Sequence, residues 1–188
     1  MIVPSHDMVH MDFAMCAWAL MAYQKESLYV INPRTSLVEV SRYSAVQKAL
    51  DRGSDAIFFT DSDMTFPMNA LERLQAHNVP FVGATYMTRR APATVLGTPF
   101  EELTSDMTGL KPMRRMPIGF SLIRAEVFDA VEPPWFSVIW DPVHAEHTSE
   151  DYTFCDAVRQ AGFDLLVDLD LSHEMGHIGN QTYKWKKS

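Results

Sequence analysis

Two aspartates separated by one residue, Asp61-Ser62-Asp63, stand directly after the apolar run Ile57-Phe58-Phe59. A strand that buries its body and releases two carboxylates at its carboxyl end places charge in the crevice where α/β sheets take ligands. Alternate residues of an extended turn can aim both acids at one hard cation. Oxygen donors suit Mg2+ or Mn2+, which keep positions open for phosphate oxygens. The plainer reading is a polar turn in which Asp61 caps the following segment. A second acidic pair, Glu150-Asp151, follows Ser149 at the head of an amphipathic stretch. Acids there favour the helix dipole, and they are also candidate general bases.

Near the end of the chain, His173-Glu174-Met175-Gly176-His177 spells HExxH, the zinc-protease signature. That chemistry needs both histidines one turn apart on a helix, with the glutamate as base. Here the motif follows a strand-like run at 165–171, and Gly176 and Gly179 disfavour a helix through it. A protease is therefore the weak reading, and which of His173 and His177 could serve a metal stays open at this point. His144 and His147 could be metal ligands, although polar loop residues are the plainer reading. Trp135 and Trp140 read as core or rim packing, or as a platform for a sugar ring. Arg89 and Arg90 are either a solvated pair or a partner for phosphate or an acidic acceptor.

The elements that must position these groups alternate between short apolar runs and helical periodicity. That order predicts one three-layer α/β domain with a central mixed, mostly parallel sheet. Strands are expected at 1–4, 27–31, 56–60, 80–84, 118–123 and 165–169. Phe13, Cys16, Ala17 and Leu20 share one helical face. Ser36 with Glu39 matches a capping box for a second helix, which Gly53 closes. Pro67 opens a third helix, 125–131 forms a short one, and Ser149 caps another that ends at Gly162. Between 86 and 117 four prolines break every period, which predicts an irregular binding loop.

Bulk properties bound the function. The chain has 188 residues, enough for one domain, with 47% hydrophobic and 21% charged residues, so a packed core is expected. A net charge of −8 argues against a protein that grips nucleic acid through phosphates. Cys16 and Cys155 fall in helical stretches and read as buried or half-buried thiols rather than a disulfide framework. No run of 18 apolar residues and no leader-like start is visible, so a cytoplasmic protein without a membrane span is expected.

The words DRGSDAIFFTDSDM and SEDYTFCDAVRQAGFDLLVDLDLSHEMGHIG, with MPIGFSLIRAEVF between them, together resemble the nucleotide-sugar glycosyltransferases of the A-type (GT-A) fold, family-2-like. The resemblance covers most of the chain and rests on the order and spacing of its pieces. It implies a Rossmann-like glycosyltransferase domain over 1–188, with a nucleotide-sugar half at 1–85, the loop at 86–117 and an acceptor and catalytic half at 118–188. By that resemblance, Ser5 and Asp7 contact the donor nucleotide, and Arg42 and Ser62 lie at the donor site. Asp61, Asp63 and His177 hold Mn2+ or Mg2+ against the diphosphate, and Gly119 lets the backbone approach the sugar. Asp151, or Glu150 in its place, takes the acceptor proton, which implies inversion if attack is direct. The donor is expected to be a UDP- or GDP-sugar, and the acceptor a saccharide, lipid or protein.

Two other classes stay open at this point. A nucleotidyltransferase of related fold also holds a metal with acids, but usually carries a glycine-rich basic loop after its first strand, and PSHDMVHMDF has neither glycine nor lysine. The other is a non-catalytic nucleotide- or sugar-binding module.

Overall fold

A computed structural model describes residues 1–5, 8–142, 145–179 and 182–185. In chain order the elements are α1 (Met11–Tyr23), α2 (Val38–Leu50), β1 (Ala56–Thr60), β2 (Met64–Thr65), α3 (Ala70–Ala76), β3 (Phe81–Gly83), β4 (Thr98–Pro99), β5 (Leu110–Arg115), β6 (Phe120–Arg124), α4 (Ala125–Ala130), β7 (Ile139–Asp141), β8 (Glu146–Thr148), α5 (Glu150–Gln160), β9 (Leu165–Asp168), α6 (Leu169–Ser172), β10 (Gly176–Ile178) and β11 (Thr182–Lys184). The chain forms an α/β fold. Among the described residues no helix is long and apolar enough to cross a membrane.

The main sheet runs β1-β6-β3-β9-β5-β4. Successive residues of a strand face opposite sides, so even the fully apolar strands feed two cores. Ile57 and Phe59 of β1 pack into one core with Val46 of α2, Phe128 of α4 and Phe154 and Val158 of α5. Phe58 turns to the other side, against Phe13 and Leu20 of α1 and Leu71 and Leu74 of α3. The same division holds in β3, where Phe81 joins the first core and Val82 the second. These are the three expected layers, helix on sheet on helix.

The sheet is mixed, but its neighbours are mostly antiparallel rather than mostly parallel. β3 and β9 form the parallel ladder, whereas β1–β6, β3–β6, β5–β9 and β4–β5 are antiparallel. The registers make β1, β3, β9 and β4 run one way. The two reversed strands, β6 and β5, sit between them and convert most ladders to antiparallel.

Three further expectations change in detail. The segments at 1–4 and 27–31 form single bridges, Ile2 to Phe59 and Ile2 to Ile31, that extend the sheet beyond β1. Leu37, not Ser36, precedes α2, and its amide donates to Thr35 Oγ1 at 3.1 Å, so no capping box forms. The span 86–117 is not irregular throughout, because β5 lies inside it and pairs with β9 from Leu110 to Met113. Its Pro112 is tolerated because β4 pairs with β5 only at Met113 and Arg115, leaving no ladder partner on that side to need an amide.

Candidate active site at the carboxyl end of β1

Asp61 follows the last residue of β1, and its amide donates to Gly119 O at 2.8 Å. Its carboxylate turns toward Arg42, whose Nη2 lies 3.3 Å from Oδ1. Arg42 projects from α2 and is almost fully buried. It also meets Glu150 Oε1 at 3.5 Å through Nε, and Asp151 Oδ1 at 3.5 Å through Nη2. A guanidinium presents several donors in a fixed fork, so one side chain gathers three acids from two distant parts of the chain. Its pKa is raised, because the three carboxylates outweigh the cost of its burial.

Asp151 and Glu150 take different places. Asp151 lines the cavity, and its Oδ2 accepts from the Ile118 amide at 3.0 Å. Burial pushes its carboxyl up to about 7; Arg42 opposes the rise, and Glu150 and Asp61 add to it. Glu150 faces Arg42 and does not line the cavity. Ser149 precedes the helix as expected, although its side chain makes no capping bond.

Asp63 and His177 meet from opposite ends of the sequence. β10 pairs with β2, with His177 opposite Met64, and the Ile178 amide donates to Asp63 O at 2.7 Å. His177 Nε2 thereby lies 3.6 Å from Asp63 Oδ2. Its Nδ1 sits 2.8 Å from Met87 O, and since a carbonyl only accepts, Nδ1 carries the proton there. Nε2 is then left toward Asp63, the orientation metal-binding histidines use. Burial raises the Asp63 carboxyl, but His177 and Arg89 overcome it and hold it below its ordinary range. Arg89 Nη1 donates to Asp63 Oδ2 at 2.6 Å.

The expected ligand set of Asp61, Asp63 and His177 is therefore brought together only in part. Among the described residues no group of three His, Cys, Asp or Glu side chains is gathered closely enough to hold a metal ion. Asp63 and His177 make an open two-donor pair, while Asp61 is turned to Arg42. Such a pair fits a divalent ion that takes its remaining ligands from phosphate and water, as Mg2+ commonly does.

A cavity of about 690 Å³ joins these groups. Asp61, Asp63, Tyr86, Arg89, Asp151 and His177 line it together. Gly119 stands under it without a Cβ because one there would strike the Asp61 carboxylate and the Tyr86 hydroxyl. Ser62 is half-buried in the turn between β1 and β2. Ser5 stands apart from the cavity, accepting from Asn32 Nδ2 at 2.7 Å and lining a hollow of about 170 Å³ with Thr35, Val38 and Ser41. Asp7 and His144 lie outside the described residues.

The HExxH reading is overturned. His173 follows α6 and His177 lies on β10, so the two histidines do not share a helix. His173 Nε2 meets Met107 O at 3.2 Å, and its ring packs on Trp185. Cys16 and Cys155 are both free, half-buried and buried. Burial pushes the Cys155 thiol up to about 12, which removes it as a nucleophile. Trp135 packs in the core against Tyr43 and Phe128. Trp140 is exposed on β7, its ring against His147 at the cavity rim.

Tyr86 and Tyr152 also line the cavity and are not among the expected site residues. Tyr86 packs edge-on against His177 at 4.9 Å. An aromatic residue two or three positions past a buried strand at the ligand end of the sheet was the clue available.

No family model and no curated protein sequence matches the chain. Among solved structures it is similar to "A197 from STIV", with a TM-score of 0.67 and 14% identity over 100% of this chain and 93% of that one. It is also similar to "GalNAc-T7 with UDP, GalNAc and Mn2+", with a TM-score of 0.59 and 14% identity over 99% of this chain. The chain spans 44% of that second protein. At such identities the likeness shows the fold, a GT-A-like one.

Proposed function

We propose that the protein is a glycosyltransferase that moves a sugar from a nucleoside-diphosphate sugar to an acceptor hydroxyl, with Asp151 as general base. The observation that carries this reading is one cavity lined both by the Asp63–His177 pair and by a carboxyl raised to about 7. The first suits a cation that carries an anionic ligand; the second suits proton abstraction near neutral pH. The GT-A-like fold, shared with a protein solved with UDP, GalNAc and Mn2+, supports the same class.

Asp63 and His177 would hold the divalent cation, Mn2+ or Mg2+, which when bound supplies Lewis-acid stabilisation of the departing diphosphate. Arg42 keeps Asp61 and Asp151 in place rather than touching the donor. Residues 1–85 form the donor half, in which Ser5 lies on the nucleoside side of the donor. Asp151 accepts the acceptor hydroxyl's proton as that oxygen bonds to the anomeric carbon. The bond from that carbon to the diphosphate oxygen breaks, and its electron pair leaves with the nucleoside diphosphate. Direct attack of this kind inverts the anomeric centre.

The test is thermal stabilisation by UDP and GDP with and without Mn2+, since a ligand of the folded form raises its stability. Stabilisation that needs the metal and disappears in Asp63→Ala is expected. No nucleotide-dependent shift in the wild-type chain, or an undiminished one in Asp63→Ala, would sink the assignment.

A further inference from the structure

Arg89 and His177 converge on a single oxygen, Asp63 Oδ2, at 2.6 Å and 3.6 Å. The second distance is too long for a hydrogen bond, so the imidazole and carboxylate face a shared position that the guanidinium now neutralises. Arg89 is half exposed, at 50% of its side chain. It sits on a loop whose base is pinned and whose tip is exposed. Met87 bridges to Val95, and the Thr88 amide donates to Thr94 O at 2.8 Å, while residues 89–94 stand in solvent. Met87, which accepts from His177, belongs to the same segment.

We propose that Arg89 is an exchangeable counter-cation: it holds Asp63 until a divalent ion takes that carboxylate, and then turns to the diphosphate. This rests on the donor reading above. The charge count in the cavity favours it. Arg42 is buried among three carboxylates, and Arg115 is taken by both oxygens of Asp156 at 2.9 and 2.6 Å. Of these three arginines, Arg89 is the one whose partner a metal ion would claim. A diphosphate entering beside Asp61, Asp63 and Asp151 needs a further positive group, and a guanidinium matches phosphate oxygens bidentately.

Two outcomes of opposite sign follow from one substitution. Arg89→Gln removes the competitor for Asp63, so Mn2+ alone should bind about two- to fivefold more tightly, the worth of an exposed ion pair. With Mn2+ saturating, UDP or GDP, whichever the wild-type chain takes, should bind about tenfold more weakly, the worth of a charged hydrogen bond. Arg90→Gln, on the same loop, should change neither affinity. Isothermal titration of the full chain with Mn2+, then with nucleotide, reads both. Equal Mn2+ affinity in wild type and Arg89→Gln, or tightened Mn2+ with undiminished nucleotide affinity, overturns the proposal and leaves the donor reading standing. A wild-type chain that binds neither Mn2+ nor either nucleotide overturns both.

Discussion

The guanidinium of Arg42 lies 3.3 Å from the carboxylate of Asp61, with 3% of the arginine exposed. A buried charge is tolerated when paired and is expensive when one partner is removed. Here removal strands Asp61, Glu150 and Asp151 together. Arg42→Met should therefore cost about 3–5 kcal/mol of folding stability, read from the urea midpoint, and the deficit should widen as pH rises and more of the acids ionise. Arg42→Lys should recover only part, because one ammonium cannot reach three carboxylates in the fork geometry. A near-wild-type midpoint in Arg42→Met would show that the acids relax into solvent.

Asp151 gives the opposite sign. Burial pushes its carboxyl up to about 7 from its ordinary value of 3.8, so the native state keeps a proton that the unfolded chain gives up. Between those values the unfolded state binds fewer protons, and stability falls as pH rises through the window. Asp151→Asn removes that dependence while keeping an oxygen for the Ile118 amide. Its stability relative to wild type should improve between pH 5 and pH 8 by on the order of 2 kcal/mol, measured by denaturant titration at each pH. Transfer activity should vanish at every pH, and the wild-type rate should rise along a limb centred near 7. An unchanged pH dependence of stability in Asp151→Asn would remove it as the raised carboxyl.

Much of this arrangement is written locally. The apolar run before Asp61, the proline at 67 and the serine before Glu150 mark element ends through short-range backbone rules, and β1, α3 and α5 lie close to where those rules put them. Local rules say nothing about which strand lies beside which. The reversal of β5 and β6 within the sheet, and the strand hidden among the prolines of 86–117, depend on pairings distant in sequence. The site divides the same way. Asp63 and Asp151 are legible from their positions at element ends. The diversion of Asp61 to Arg42, the pairing of Asp63 with Arg89 and the place of Tyr86 are set by tertiary packing. His177 reaches Asp63 only because β10 docks on β2, and the strand-like run and glycines around HEMGH already argue against one helix carrying both histidines.

Asp168 tests how the late histidine is positioned. It is buried at the end of β9, its Oδ2 2.9 Å from His77 Nε2, and its Oδ1 accepts from the Leu171 amide at 2.8 Å to cap α6. α6 leads directly into β10. Losing a cap costs about 0.5–2 kcal/mol, and an unpaired buried group adds to it, so Asp168→Ala should cost about 2–3 kcal/mol. His77→Ala, at a more exposed partner, should cost less than about 1 kcal/mol. Hydrogen exchange at Ile178, whose amide bonds Asp63 O, should accelerate in Asp168→Ala and not in His77→Ala. Equal protection in both would mean that β10 is held by its strand pairing alone.

At Gly119, beside the cavity, the constraint is space. A Cβ at 119 would meet the Asp61 carboxylate and the Tyr86 hydroxyl at once. Overpacking of this kind costs about 1–3 kcal/mol, so Gly119→Ala should lower the urea midpoint and weaken metal-dependent nucleotide binding by displacing Asp61. Tyr86→Phe removes one of the two obstructing atoms. Combined with Gly119→Ala it should recover part of the lost stability but little of the nucleotide affinity, because the Asp61 clash remains. The coupling is the departure of the double variant from the sum of the singles. Strict additivity would place the Ala methyl away from Tyr86, and full recovery of nucleotide affinity would acquit Asp61.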